Sequence, residues 1–175
     1  MSQDWMILLQ KQNQLGKLIE TNRTTQQYGL TLSEEDAQLI LKECGNSLRE
    51  QKRVEFGEGI TPKIIYEFCD SEYIDQNDYA DTIIRLQEIF YLYKNEMQDE
   101  ITDDELLHLM KEQFEKVCFG DLDYLEGSCL SDFAKAIRAG YGEYKSTDGY
   151  GEYSRFQDER GWNYEWYLEA LKELF

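Results

Sequence analysis

Apolar residues along this chain recur at helical spacing, and the breaks in that spacing fall where helices should begin. Five starts share one grammar: an apolar residue, a capping residue, then a second apolar residue five positions after the first. That is a hydrophobic staple around an N-cap. Leu32-Ser33 opens one helix, with Asp36 at its third position and Ala37 as staple partner. Ile60-Thr61-Pro62 opens another, with Thr61 as N-cap, proline at its favoured first position and Ile65 as partner. Ile74-Asp75 is answered by Tyr79, and Trp162-Asn163 by Tyr167. Ile101-Thr102 is answered by Leu106, and Glu105 completes a capping box.

The helix bodies agree with their starts. Residues 4–20 place Trp5, Leu8, Leu9, Leu15 and Ile19 on one side. Residues 75–97 carry Tyr79, Ile83, Leu86, Phe90, Tyr93 and Met97 as a heptad stripe, with Ile84, Ile89 and Leu92 on a second apolar face. A helix apolar on two faces is sandwiched by neighbours, so this one is expected at the centre of a bundle. A third apolar run over 121–139 contains Gly127 and Ser128, which are placed to break it in two. The predicted fold is all-α: a compact multi-helix bundle domain over 1–140 around the helix 75–97. An aromatic extension over 141–175, ending in a short helix, is expected to pack on the same domain.

Two segments lack helical spacing. Arg53-Val-Glu-Phe-Gly-Glu-Gly59 alternates apolar and charged residues and ends in glycines, as an extended segment or structured loop does. Gly140-Tyr-Gly-Glu-Tyr144 recurs as Gly149-Tyr-Gly-Glu-Tyr153. Over 140–154 this repeat reads either as a tyrosine-rich β-hairpin turning at Asp148-Gly149 or as a flexible loop.

Charge narrows the partners. The net charge is −18, and the stretch from Glu96 to Glu126 carries eleven acids against Lys111 and Lys116, half of that total. Such a surface repels nucleic-acid phosphates and anionic membranes and favours a protein partner. No segment has the ~20 apolar residues needed to span a bilayer. Met1-Ser2-Gln3-Asp4-Trp5 lacks the basic start of a signal peptide. Cys44, Cys69, Cys118 and Cys129 form no Cys-x-x-Cys pair and read as reduced, core-packed thiols, so a cytoplasmic setting is expected.

The search for chemistry is short because His108 is the one histidine. Glu105-Leu-Leu-His108 has the spacing of a di-iron helix, but that design needs a second such motif. Zinc sites built on several histidines and Ser-His-Asp triads fail on the same count. Asp75-x-Asn77 and Asp121-x-Asp123 begin like EF-hand loops, yet Ala80 and Glu126 stand where the turn glycine must be. No metal or cofactor is expected.

Two constellations remain as candidates. Arg85 and Glu88 sit at i, i+3, with Glu88 between Ile84 and Leu92 and therefore expected to be partly buried. With Arg53, Glu55 and Glu58 they could line a polar pocket, or they could be closed structural ion pairs. The extension holds ten of the 24 aromatic residues. Among them Tyr141, Tyr144, Tyr150, Tyr153, Trp162 and Trp166 could dock a partner or pack on the bundle.

Four segments carry a resemblance: Gly29-Leu-Thr-Leu-Ser-Glu-Glu-Asp-Ala37, Arg53 to Gly59, Ile83-Ile-Arg-Leu-Gln-Glu-Ile-Phe-Tyr-Leu-Tyr-Lys-Asn-Glu96, and Gly120-Asp-Leu-Asp-Tyr-Leu-Glu-Gly127. Over residues 28–141 the chain resembles a family of bacterial proteins known as a domain of unknown function. The resemblance implies a bacterial cytoplasmic setting and brings no activity, cofactor or catalytic residue. The leading expectation is a non-enzymatic adaptor that binds another protein through its acidic face or aromatic extension. The alternative is an enzyme or small-ligand binder using Arg53, Glu55, Glu58, Arg85 and Glu88. A minor third reading is a nucleic-acid mimic.

Overall fold

The computed structural model describes residues 2–55 and 59–137. Helices α1 (Ser2–Glu20), α2 (Asn22–Thr25), α3 (Glu34–Glu50) and α4 (Thr61–Phe68) precede the long α5 (Tyr79–Glu96). Helices α6 (Asp103–Lys116), α7 (Leu122–Tyr124) and α8 (Leu130–Ala136) follow it. No strand occurs among the described residues, and the fold is all-α. The chain divides into two compact units between Tyr91 and Leu92, inside α5. The boundary expected near residue 140, the 140–154 repeat and the helix start at Trp162 lie outside the described residues.

Two of the expected starts form as capping boxes. The Ser33 hydroxyl accepts from Asp36 N, and the Asp36 carboxylate accepts from Ser33 N. Thr102 and Glu105 repeat this reciprocal pair at α6. The two false EF-hand starts are caps as well. Asp75 Oδ1 accepts from Asn77 N and opens a 3-10 turn that leads into α5, which therefore begins at Tyr79 rather than at 75. Asp121 Oδ1 accepts from Asp123 N and Tyr124 N.

In the first unit α1 packs on α3 and α4, and α2 packs on α4. Ile40, Ile64, Ile65, Phe68, Ile83 and Leu86 are fully buried, each contributing roughly 1.5–3 kcal/mol of apolar transfer. The expected burial of the α1 stripe holds only in its second half. Leu18 is buried and Leu15 and Ile19 are half-buried, whereas Trp5, Leu8 and Leu9 are exposed together with Met6 and Ile7.

In α5 only Asp81 and Glu88 are exposed, so this helix is covered on nearly every side as its two apolar faces predict. The second unit buries Leu106, Met110, Phe114, Leu125, Leu130 and Phe133. Its α7 does not break at Gly127. The chain runs on through a π-turn, Leu125–Cys129, into α8. Leu130 N bonds Leu125 O, five residues back. The carbonyl of Glu126, which Leu130 N would meet in an α-helix, accepts from the Tyr93 hydroxyl.

Candidate functional site

The first unit buries a chain of polar side chains along one edge of its core. Thr61, Gln87 and Tyr91 are at most a few per cent exposed, and Cys44 is buried beside them. The Tyr91 hydroxyl donates to Glu55 Oε2 at 2.6 Å. With that proton committed, the Cys44 thiol at 3.4 Å must be the donor to the Tyr91 oxygen. Thr61 Oγ1 donates to Gln87 Oε1 and lies 3.9 Å from Cys44 Sγ. Gln87 Nε2 donates to Ile40 O at 3.4 Å. Buried polar groups cost free energy unless they are paired. Here each finds a partner contributed by a different element.

Local sequence explains two of the placements. Thr61 is not the N-cap that its position beside Pro62 predicts. It is the first helical residue, and Ile60 precedes it in helical conformation. Proline already removes one of the unsatisfied N–H groups at this terminus, which frees the hydroxyl to reach Gln87. Gly59 has φ +78, a conformation costly for other residues. A Cβ there would also press into the Glu55 carboxylate, lying 3.2 Å from Cδ. Glycine thus turns the chain into α4 and leaves room for the carboxylate that Tyr91 holds.

A cavity of about 560 Å³ opens over this polar chain. Its floor includes Cys44, Glu55 and Thr61, and its apolar walls Leu15, Leu41 and Leu48. Lys11, Lys42 and Arg49 stand exposed around it with the amides of Gln12, Gln14 and Gln38. Three cations around one opening are notable on a chain of net charge −18. Burial pushes the Cys44 thiol up, and burial followed by the Cys44 and Glu55 neighbours pushes the Tyr91 phenol far up. Both groups therefore keep their protons at neutral pH, as the hydrogen bonds they donate require.

The model for a family of unknown function, DUF6323, matches residues 17–143. The chain belongs to that family. No curated protein matches it, and no solved structure does. The DUF6323 match covers all five polar-chain residues and the α3 wall of the cavity, while the α1 wall from Lys11 to Leu15 precedes it.

Within the DUF6323 segment, one of the residues expected to line a polar pocket borders this cavity. Glu55 lines the cavity, but Arg53, Arg85 and Glu88 do not. Glu88 is exposed rather than partly buried, because the neighbouring Ile84 and Leu92 are themselves only half-covered. Glu58 and the candidate docking residues Tyr141, Tyr144, Tyr150, Tyr153, Trp162 and Trp166 lie outside the described residues.

Sequence reasoning missed Cys44, Thr61, Gln87 and Tyr91 as one cluster. A signal existed for Gln87. It stands four residues after Ile83 and four before Tyr91, a polar interruption of a core stripe.

Among the described residues no group of three or more His, Cys, Asp or Glu could hold a metal ion. No helix there is long and apolar enough to cross a membrane.

Proposed function

We propose that the first unit binds a small organic anion in the cavity above Cys44, Glu55 and Thr61. The observation that carries this reading is the buried polar chain opening onto a cavity whose rim holds Lys11, Lys42 and Arg49. A volume of about 560 Å³ suits a metabolite-sized ligand. The rim would take a carboxylate or phosphate, Leu15, Leu41 and Leu48 its apolar body, and the floor its hydrogen-bonding groups.

A thermal-shift screen of small carboxylates and phosphates tests this. A true ligand raises the melting temperature of the wild type and slows alkylation of Cys44 without slowing that of Cys69. It loses both effects in Leu48→Trp, which fills the cavity. A screen without such a compound, or hits indifferent to Leu48→Trp, would sink the reading.

One observation favours the second reading, a cytoplasmic adaptor for another protein. Trp5 to Leu9 are all exposed, with Trp5 and Met6 about two-thirds so. Exposed apolar runs of this kind mark interaction surfaces. The partner's chemistry would be a basic protein with an apolar groove, attracted by the −18 charge. Pull-down with the full-length protein should then lose its partner in Trp5→Ala/Leu8→Ala and keep it in Leu48→Trp. Retention in the α1 variant removes this reading.

A further inference from the structure

The second unit brings two distant cysteines together. Cys118 Sγ and Cys129 Sγ lie 3.2 Å apart, and both thiols are free. Cys118 is buried and Cys129 half-buried. The two are held in place by separate irregularities of the backbone.

Cys118 follows the last turn of α6, where its N–H bonds Gln113 O and the next residues, Phe119 and Gly120, take φ values of 49° and 85°. Positive φ at an exposed phenylalanine is uncommon and marks a conformation imposed by its surroundings. Cys129 closes the π-turn Leu125–Cys129. One extra residue per turn rotates every following side chain relative to α-helical phase, so this turn sets where the Cys129 sulfur points. π-turns recur at functional positions. Two independent departures from regular helix therefore converge on one sulfur–sulfur contact.

We propose that Cys118 and Cys129 form an oxidisable dithiol site, converted to an intramolecular disulfide by hydrogen peroxide. Peroxide is the oxidant class that fits. It is small enough to reach a half-buried sulfur, and it is uncharged, so a protein of net charge −18 does not repel it as it would an anionic disulfide.

The pair first loses one proton, and the remaining S–H holds the thiolate through the S–H···S contact. The thiolate sulfur attacks one peroxide oxygen. The O–O bond breaks, an S–OH group forms, and the leaving hydroxide takes up the released proton as water. The second sulfur attacks the sulfenic sulfur, the S–O bond breaks and the S–S bond forms. The departing hydroxide takes the second thiol proton. Two thiols and one peroxide give one disulfide and two waters. Burial pushes both thiols upward, so the first step is slow at neutral pH and the second, between neighbours, is fast.

The site lies in the second unit and uses none of the residues of the cavity in the first. The test is peptide mapping of the full-length protein under non-reducing conditions after limiting hydrogen peroxide. The expected product joins Cys118 to Cys129 within one chain, leaves Cys44 and Cys69 free, loses the mass of two hydrogens and is reversed by dithiothreitol. Persistence of both thiols, a sulfinic acid at either position, or pairing with any other cysteine overturns the proposal. In Cys118→Ser and, as a second variant, Cys129→Ser, the remaining cysteine should stop at a sulfenic acid that dimedone captures. Absence of that adduct in both folded variants also overturns it.

Discussion

The Tyr91 hydroxyl and the Glu55 carboxylate, 36 residues apart, meet at 2.6 Å beside a cavity. The bond fixes a loop residue against α5, the most covered helix among the described residues. It also commits the tyrosine proton, so that the Cys44 thiol must donate rather than accept.

Replacing Tyr91 by phenylalanine should therefore cost about 2 kcal/mol, within the range for hydrogen bonds to charged groups. Tyr79 provides the contrast. Its hydroxyl is equally buried but completes no hydrogen bond among the described residues, and the neighbouring Thr25 hydroxyl donates to Leu30 O. Tyr79→Phe should cost less than about 1 kcal/mol. Urea denaturation of the two variants at unchanged m-value checks the difference, and equal losses would contradict the network.

Gly59→Ala should destabilise by about 1–2 kcal/mol, since φ is +78 and the new Cβ meets the Glu55 carboxylate. Gly16→Ala is the control, because nothing lies within 4 Å of its Cβ position. In that helix interior alanine should be neutral or stabilising by up to ~1 kcal/mol. Opposite signs in chemical denaturation are expected.

Alkaline pH should lower the stability of the protein. Burial raises Tyr79 and Tyr93 to about 12 from an ordinary value near 10. Between those values the unfolded chain has released protons that the folded chain retains, so stability falls as pH rises. The contribution is fully present below about pH 10 and is lost through pH 12, amounting to roughly 2–3 kcal/mol for Tyr79 and less for the less buried Tyr93. Stability measured across that window should drop less steeply in Tyr79→Phe than in wild type.

Lys94 is a buried ammonium that donates to Ile101 O at 2.7 Å and pairs with Asp103 at 2.8 Å. It ties the end of α5 to the start of α6. Lys94→Met keeps the aliphatic length but leaves the carbonyl without that donor, and should cost about 2 kcal/mol. Asp103 is half exposed, so Asp103→Asn should cost well under about 1 kcal/mol. Thermal unfolding in low and high salt separates the two, because only the exposed pair is screened.

The amino-acid sequence by itself determined the all-α class, the long helices and two of their capping boxes. Ser33 with Asp36 and Thr102 with Glu105 are local capping pairs, and local hydrogen bonding is written in spacing. The burial of α5 was likewise legible, since two apolar faces on one helix leave little to present to water. Tertiary structure decided what these local rules leave free. Thr61 satisfies every sequence criterion for an N-cap, yet a buried amide across the core claims its hydroxyl. Glu88 and Gln87 are adjacent, and about 100° of helix rotation decides that the carboxylate meets water and the amide the core. Trp5, Leu8 and Leu9 share a stripe with Leu15 and Ile19, but a stripe is buried only as far as a neighbour reaches. Cys118 and Cys129 meet because a π-turn shifts helical phase by one residue, and no periodicity announces where a helix will accept that extra residue.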